Sequence, residues 1–94
     1  MALQAVAGTG PVNVDLTGTG KGKRITSWHF SNTTAAAVIN IRDGSVTGTR
    51  YIQIQLAVAA SASQAYMQQS APLFPNGVFV EVVSGTIVGS VDLV

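Results

Sequence analysis

The fold class of this chain is decided by the stretch Phe74-Pro75-Asn76-Gly77-Val78-Phe79-Val80-Glu81-Val82-Val83-Ser84-Gly85-Thr86-Ile87-Val88-Gly89-Ser90-Val91. Apolar and polar residues alternate on both sides of Ser84-Gly85, which is typical of half-buried β-strands. A two-residue loop at Ser84-Gly85 would join them as a hairpin, because a loop of that length fixes the register. One face of this hairpin is apolar and comprises Val78, Val80, Val82, Ile87, Gly89 and Val91. The other face is mixed and comprises Phe79, Glu81, Val83, Thr86, Val88 and Ser90.

An apolar sheet face must be covered, so the hairpin predicts a two-layer β protein. In this register Val80 and Gly89 face each other toward the core. The missing side chain of Gly89 leaves room there for a bulky residue such as Trp28.

Turn signals recur along the rest of the chain at intervals of about eight to twelve residues, the spacing of a sandwich or barrel. Further strands are predicted at residues 3–7, 12–16, 23–31, 37–42 and 51–58, with loops at 18–22 and 43–49. Residues 59–70 show no strong periodicity; an edge strand near Ser63 to Gln69 is favoured over a helical turn or an ordered loop. Residues 1–94 are therefore expected to form one all-β domain. It should be an antiparallel β-sandwich of about seven or eight strands, jelly-roll-like or Greek-key.

Composition favours a structural module that contacts other chains. Only nine of the 94 residues are charged, 47% are hydrophobic, and there are no cysteines. Such a charge-poor surface on a small domain predicts burial against partners, including copies of itself. The net charge of +1 argues against a nucleic-acid partner, which would select a basic stripe. The chain also lacks an apolar run of about 20 residues for a membrane helix and the basic start of a signal peptide, so synthesis in the cytoplasm is expected.

Residues for catalysis or for holding a cofactor or metal are scarce. The glycine-rich loop at 18–22 fails the phosphate-binding pattern, because Thr17 occupies the glycine position required before Gly22-Lys23. The sole histidine, His29, lies in a predicted strand with no orienting acid at a recognisable spacing. The four acidic residues fall in four separate elements, without zinc or calcium spacing. We therefore predict no catalytic, cofactor or metal residues and no small-molecule substrate.

Two stretches carry a family resemblance. Asn76-Gly77, Val78-Phe79-Val80-Glu81-Val82-Val83-Ser84-Gly85-Thr86 and Gly89-Ser90-Val91 resemble the C-terminal hairpin of small β-sandwich virion proteins of tailed bacteriophages, most often capsid decoration (cement) proteins. The similarity extends to Phe30-Ser31-Asn32-Thr33-Thr34-Ala35-Ala36-Ala37-Val38-Ile39-Asn40-Ile41-Arg42-Asp43-Gly44. Residues 1–20 have no counterpart in the resemblance.

The resemblance implies a structural role on the virion. It implies a protein made in the host cytoplasm that sits as a homotrimer on the outside of a phage head and clamps neighbouring major capsid subunits. A head-fibre base, an adaptor or a tail component is one alternative. A carbohydrate-binding module is another, with Trp28, Tyr51 or Tyr66 as an exposed stacking platform.

Three groups of residues are candidates for partner contact. The N-terminal segment with Ala2, Leu3, Gln4, Ala5 and Val6 suits an arm added to a neighbouring sheet, or an edge strand of the domain itself. Lys21, Lys23 and Arg24 could meet an acidic surface. On the mixed hairpin face the candidates are Phe79, Glu81 and Val88, and Glu81 is either solvent-exposed or an inter-subunit contact. Asn32-Thr33-Thr34 matches a glycosylation acceptor, but without a secretion signal a turn is expected there.

Overall fold

The computed structural model describes residues 2–32 and 35–94, with the side chains of Ala2, Thr19 and Gln68 left aside. The strands are β1 (Ala2–Thr9), β2 (Val12–Leu16), β3 (Lys23–Asn32), β4 (Ala37–Asp43), β5 (Arg50–Leu56), β6 (Ser61–Ala65), β7 (Leu73–Phe74), β8 (Val78–Ser84) and β9 (Thr86–Leu93). One helical turn, α1 (Thr17–Gly20), and one 3₁₀ turn (Gln68–Ser70) complete the described elements. Neither turn is long enough to cross a lipid bilayer.

The strands form two antiparallel sheets packed face to face. Sheet 1 has the order β1-β9-β3-β6, with β7 beside the start of β3, and sheet 2 has the order β2-β8-β4-β5. The chain therefore folds as a double ribbon, in which β1 pairs with β9, β2 with β8, β3 with β6 and β4 with β5. This is the arrangement of an eight-stranded jelly roll. The predicted all-β, jelly-roll-like sandwich is confirmed.

The core lies between the sheets and is built from the inward residues of nearly every strand. The largest fully buried side chains are Phe30, Phe74, Ile25, Ile39, Ile41, Ile87, Leu93, Val6, Val78, Val80, Val82 and Val91. Strand β3 contributes both odd-numbered and even-numbered residues to the core, because the register of its pairing with β9 shifts between Ile25 and Ser27. This bulge lets Ile25 and Phe30 point to the same side of the sheet.

The predicted hairpin at Ser84-Gly85 is wrong. Strand β8 pairs with β2 and β4 in sheet 2, whereas β9 pairs with β1 and β3 in sheet 1. Gly85 turns the chain from one sheet to the other with φ of 81°, and a Cβ there would lie 2.7 Å from Cβ of Ala37. The division into inward and outward residues was nevertheless correct, because the period of two belongs to each strand and not to the pairing. The two apolar sets face each other across the core.

The N-terminal segment is an edge strand of the domain itself. Residues Ala2 to Thr9 pair with β9 without interruption, from Ala2 opposite Leu93 to Thr9 opposite Thr86. Val6 belongs to the buried core. The alternative of an arm added to a neighbouring subunit is therefore corrected, since an arm leaving the sandwich would take a core residue with it.

Other boundaries differ from the predicted ones by a few residues. Strand β5 ends at Leu56, and Val58, predicted as a strand residue, lies exposed in the following turn. The predicted edge strand in 59–70 exists, but it begins at Ser61 and gives way to the 3₁₀ turn. The predicted loop at 18–22 overlaps α1. Strand β7 was missed because its two residues lie between Pro72 and Pro75, which mark a loop.

Asn32 has a structural role where β3 ends. Its side chain is 6% exposed. The Nδ2 group donates to the carbonyl oxygens of Ala35 and Ala57, and Oδ1 accepts from the backbone N–H of Ala60 at 2.8 Å. Asn32 therefore links the connection between β3 and β4 to the connection between β5 and β6 at one end of the sandwich. The rest of the acceptor motif, Thr33-Thr34, lies outside the described residues.

Candidate partner-binding surface

The outward-facing residues of sheet 1 form a broad surface across four strands, here called the sheet 1 outer face. The pairing registers align its residues in rows that run from β1 through β9 and β3 to β6. The rows are Leu3, Asp92, Ser27, Ala65; then Ala5, Ser90, His29, Ser63; and then Ala7, Val88, Ser31, Ser61. Thr9 and Thr86 form a further pair and share a hydrogen bond of 3.0 Å.

This face is poor in charge. Most of its side chains are Ser, Ala or Thr, and Asp92 is the one acidic residue in these rows. Leu3 and Val88 are the large apolar side chains, 70% and 55% exposed. A depression of about 320 Å³ lies beside His29 and is lined by Ser27, Trp28, His29, Ser63, Gln64, Ala65 and Ser90. Such a surface can lie against another protein surface at little desolvation cost.

The structure divides the predicted contact residues among three regions. Leu3, Ala5 and Val88 come together on the sheet 1 outer face. Gln4 and Val6 point the other way, since they pair with Val91 and Gly89 on the inward side of β9. Ala2 begins β1, and its side chain is not described.

Phe79 and Glu81 lie on the opposite side of the molecule, on the outward face of sheet 2. Glu81 pairs with Asn13 and Asn40 and does not face Val88 as the hairpin register predicted. Its Oε1 accepts hydrogen bonds from Nδ2 of Asn40 and Nε of Arg42, both at 3.1 Å. The Asn40 hydrogen bond and the Arg42 guanidinium hold the pKa of Glu81 below its ordinary value. Glu81 is thus half-buried in a network of its own chain.

Glu81 should make the stability of the domain depend on pH in the acidic range. A carboxyl group whose folded pKa is lowered stabilises the fold above its unfolded pKa, and the effect disappears as pH falls through the folded pKa. We expect Glu81→Gln to lower the free energy of unfolding by about 1 kcal/mol at neutral pH, the scale of a partly exposed ion pair. The difference from the natural chain should vanish in strong acid. Urea unfolding at both pH values measures it, and a difference that persists in acid would contradict the assignment.

The three basic candidates lie at the end of the sandwich where β3 begins. Nη1 of Arg24 donates to the carbonyl oxygen of Ala71 at 2.6 Å, so this guanidinium is engaged within the chain. Lys23 pairs through its backbone with Phe74 of β7, and the side chains of Lys21 and Lys23 are exposed. The two lysines, without Arg24, are the charges available to a partner in this region.

The aromatic candidates for a sugar-stacking platform make contacts within their own chain. Trp28 packs against the core, with its ring centroid 5.9 Å from that of Phe30, and its Nε1 donates to the hydroxyl of Tyr66 at 3.2 Å. Tyr51 is more exposed, but its ring meets the buried Phe74 edge-on at 5.2 Å. Trp28 is therefore partly buried against the core, and Tyr51 retains one accessible face.

Asp15 and Asp43 each make hydrogen bonds with a different neighbouring residue. Asp15 accepts from the backbone and hydroxyl of Thr17, at 2.9 and 2.6 Å, and these bonds lower its pKa. Asp43 accepts from the backbone and side-chain amides of Asn76, both at 2.9 Å. Within residues 2–32 and 35–94, no three His, Asp or Glu side chains lie close enough to hold a metal ion. The chemistry that the arrangement supports best is surface recognition.

Comparisons with models of protein families, with curated proteins and with solved structures give no significant match to this chain.

Sequence reasoning missed half of the sheet 1 outer face. The missed residues are Ser27, His29 and Ser31 on β3 and Ser61 and Ser63 on β6. The predicted hairpin register placed Val88 beside Glu81, so it did not connect Val88 with these two strands. The available signal was the alternation of polar residues at Ser27, His29 and Ser31 in one strand and at Ser61 and Ser63 in the other, which indicates one outward face in each strand.

Proposed function

We propose that this protein is a structural virion component, a capsid decoration protein that binds the outside of a phage head. The sheet 1 outer face is the surface that contacts the major capsid subunits. The proposal is supported by the family resemblance and by one observation in particular: Leu3 and Val88 are exposed on a nearly uncharged face of a jelly roll. Burial against a partner would remove both apolar side chains from water.

The proposed mechanism is stabilisation by mass action. A protein that binds the assembled shell but not its free subunits shifts the equilibrium toward the assembled shell. Broad contact by small and apolar side chains supplies the attraction, whereas the few charges of the exposed end set the approach and orientation. Lys21 and Lys23 suit this second role, since both side chains are exposed at the end of the sandwich.

The contact face is tested by the substitution Val88→Asp. A buried, unpaired carboxylate at the interface should reduce binding to heads at least about tenfold, since desolvating a charge without a partner is costly. The measurement is co-sedimentation of purified protein with undecorated heads over a range of concentrations. Val88 points away from the core, so the fold should survive, and the melting temperature confirms that.

Val83→Asp is the matched control for Val88→Asp. Val83 is an exposed valine of comparable accessibility, 43% against 55%, but it projects from sheet 2. Its substitution should leave occupancy unchanged. Equal loss of binding in both variants, or in neither, would overturn the assignment of the sheet 1 outer face.

A head-fibre base, an adaptor or a tail component could use the same face on another part of the particle. These alternatives differ from decoration in the position of the protein on the virion, which particle imaging distinguishes.

A further inference from the structure

Strand β5 leaves one edge of sheet 2 free. It runs Arg50-Tyr51-Ile52-Gln53-Ile54-Gln55-Leu56 and pairs with β4 on its other side. Natural proteins blunt exposed edges with Pro, Lys, bulges or very short strands, because unpaired backbone groups recruit other chains. Strand β5 contains neither Pro nor Lys; its pairing with β4 has a register shift at Tyr51, between Ile41 and Arg42, and is regular from Ile52 to Leu56. The opposite edge strand of the same sheet, β2, is shorter, follows Pro11 and carries the charge of Asp15.

We propose that β5 binds β5 of a second copy of this chain, antiparallel, about a two-fold axis through Gln53. This inference concerns the isolated protein and does not depend on the capsid as partner. The register is centred on the regular part of the strand, with Gln53 opposite its symmetry mate and Ile52 opposite Ile54. In this register even-numbered residues face even-numbered ones and odd-numbered residues face odd-numbered ones. The isoleucines of both copies therefore lie on the core side of the joined sheet, and the glutamines lie on its outer side.

The charges of β5 fit pairing with itself. Arg50 is the only charged residue of the strand, and the two-fold axis places the two Arg50 side chains at opposite ends of the paired strands. Like charges directly opposite each other would destabilise a strand pair, and this register contains none. The neighbouring edge strand β6 consists of Ser, Ala and Gln, so it brings no charged side chain to the contact.

A buried polar atom lies beside this edge, in the row that leads to Gln53. Asn40 is 5% exposed, and its Nδ2 donates to Glu81. Its Oδ1 is buried and has no hydrogen-bond partner among the described residues, a state that costs free energy. Gln53 lies directly opposite Asn40 in the strand pair and is exposed. A Gln53 side chain ordered against its symmetry mate can donate an amide N–H to this oxygen, which extends the polar row through the dimer.

Two exposed apolar side chains lie on the same side of the sandwich. Tyr51 belongs to β5 itself, and Val58 lies in the turn that leads from β5 to β6. A second copy seated on this edge would cover part of both. The two-fold contact predicts a dimer, in contrast to the homotrimer expected from composition and the resemblance.

Sedimentation equilibrium of the full chain tests the proposal. The natural protein should associate to twice the monomer mass at micromolar concentration. Gln53→Lys should raise the dimer dissociation constant about tenfold, because the two-fold axis sets the introduced charges against each other. Asn13→Lys is the matched control, an exposed amide of the same row on the opposite edge strand, and it should leave the dimer intact. A monomer at all concentrations, a trimeric mass, or equal weakening by both variants would overturn the proposal.

Cross-linking gives a readout that does not depend on the effect of a charge. The chain has no cysteine, so Gln53→Cys carries a single thiol. Directly opposed residues of an antiparallel pair lie within disulfide distance, and mild oxidation should therefore join two copies in high yield. Asn13→Cys should remain largely monomeric on the same gel. Equal yields from the two variants would refute pairing through β5.

Discussion

Replacing Gly89 by valine should lower the free energy of unfolding by about 3 kcal/mol or more, at the upper end of the range for over-packed cores. Gly89 lies on β9 between Val6 of β1 and Phe30 of β3. A Cβ at this position would overlap the carbonyl oxygen of His29 and lie 2.7 Å from Cδ1 of Phe30. Backbone of a central strand cannot move aside cheaply. The melting temperature of a domain of this size should fall by roughly 15 °C.

Gly18→Val is the control for this substitution. Nothing lies within 4 Å of a Cβ at Gly18, which belongs to the single turn α1, so its replacement should change the free energy of unfolding by less than about 1 kcal/mol. Thermal or urea unfolding measures both variants. Unchanged stability of Gly89→Val would mean that the register of β9 between β1 and β3 is wrong.

The second large effect is expected for Asn32→Asp, which replaces an amide by a carboxyl group of the same shape. The natural Nδ2 donates to the carbonyl oxygens of Ala35 and Ala57. A carboxylate would present an acceptor to both oxygens in a buried site while keeping the bond from Ala60. We expect a loss of about 3 kcal/mol or more at neutral pH, since two acceptors lose their donors and a charge is buried.

The loss of stability in Asn32→Asp should depend on pH, and the direction of this dependence identifies its cause. Burial and the facing carbonyl oxygens raise the pKa of the introduced carboxyl group above its unfolded value of about 3.9. The destabilisation is therefore complete above the folded pKa and shrinks as pH falls through it, because the protonated group can again donate. Gln69→Glu, the same amide-to-carboxyl change at an exposed position in the 3₁₀ turn, should show little change. A loss for Asn32→Asp that is the same in acid and at neutral pH would contradict this account.

The fold class was predictable because period-two alternation survives even when the pairing is misjudged. The six residues Val78, Val80, Val82, Ile87, Gly89 and Val91 were placed on the inward side, and all of them lie against the core or its close-packed backbone. Alternation says which way a side chain points, but not which strand lies beside it. Ser84-Gly85 has the composition of a hairpin loop, yet the long-range pairs β1·β9 and β2·β8 override that local preference.

The candidate surface was predictable only in part for the same reason. Leu3 and Ala5 were predicted as contact residues from the small, apolar composition of their segment, and Val88 from the mixed face of its strand. The structure places all three on one face. Joining them required the pairing of β1 with β9, which connects residues 77 to 91 positions apart and leaves no local signal in the sequence. Glu81 and Arg24 were predicted as partner contacts because their intramolecular partners are distant in sequence. Glu81 accepts from Asn40 and Arg42, and Arg24 donates to the carbonyl oxygen of Ala71.

The proposed role as a decoration protein is tested most directly by electron microscopy of undecorated phage heads incubated with the purified protein. The account predicts density for the jelly roll on the outer surface of the shell, with the sheet β1-β9-β3-β6 facing the major capsid subunits and Val88 in the contact. Heads that remain bare at saturating protein, or density in which the sheet β2-β8-β4-β5 faces the shell, would contradict it.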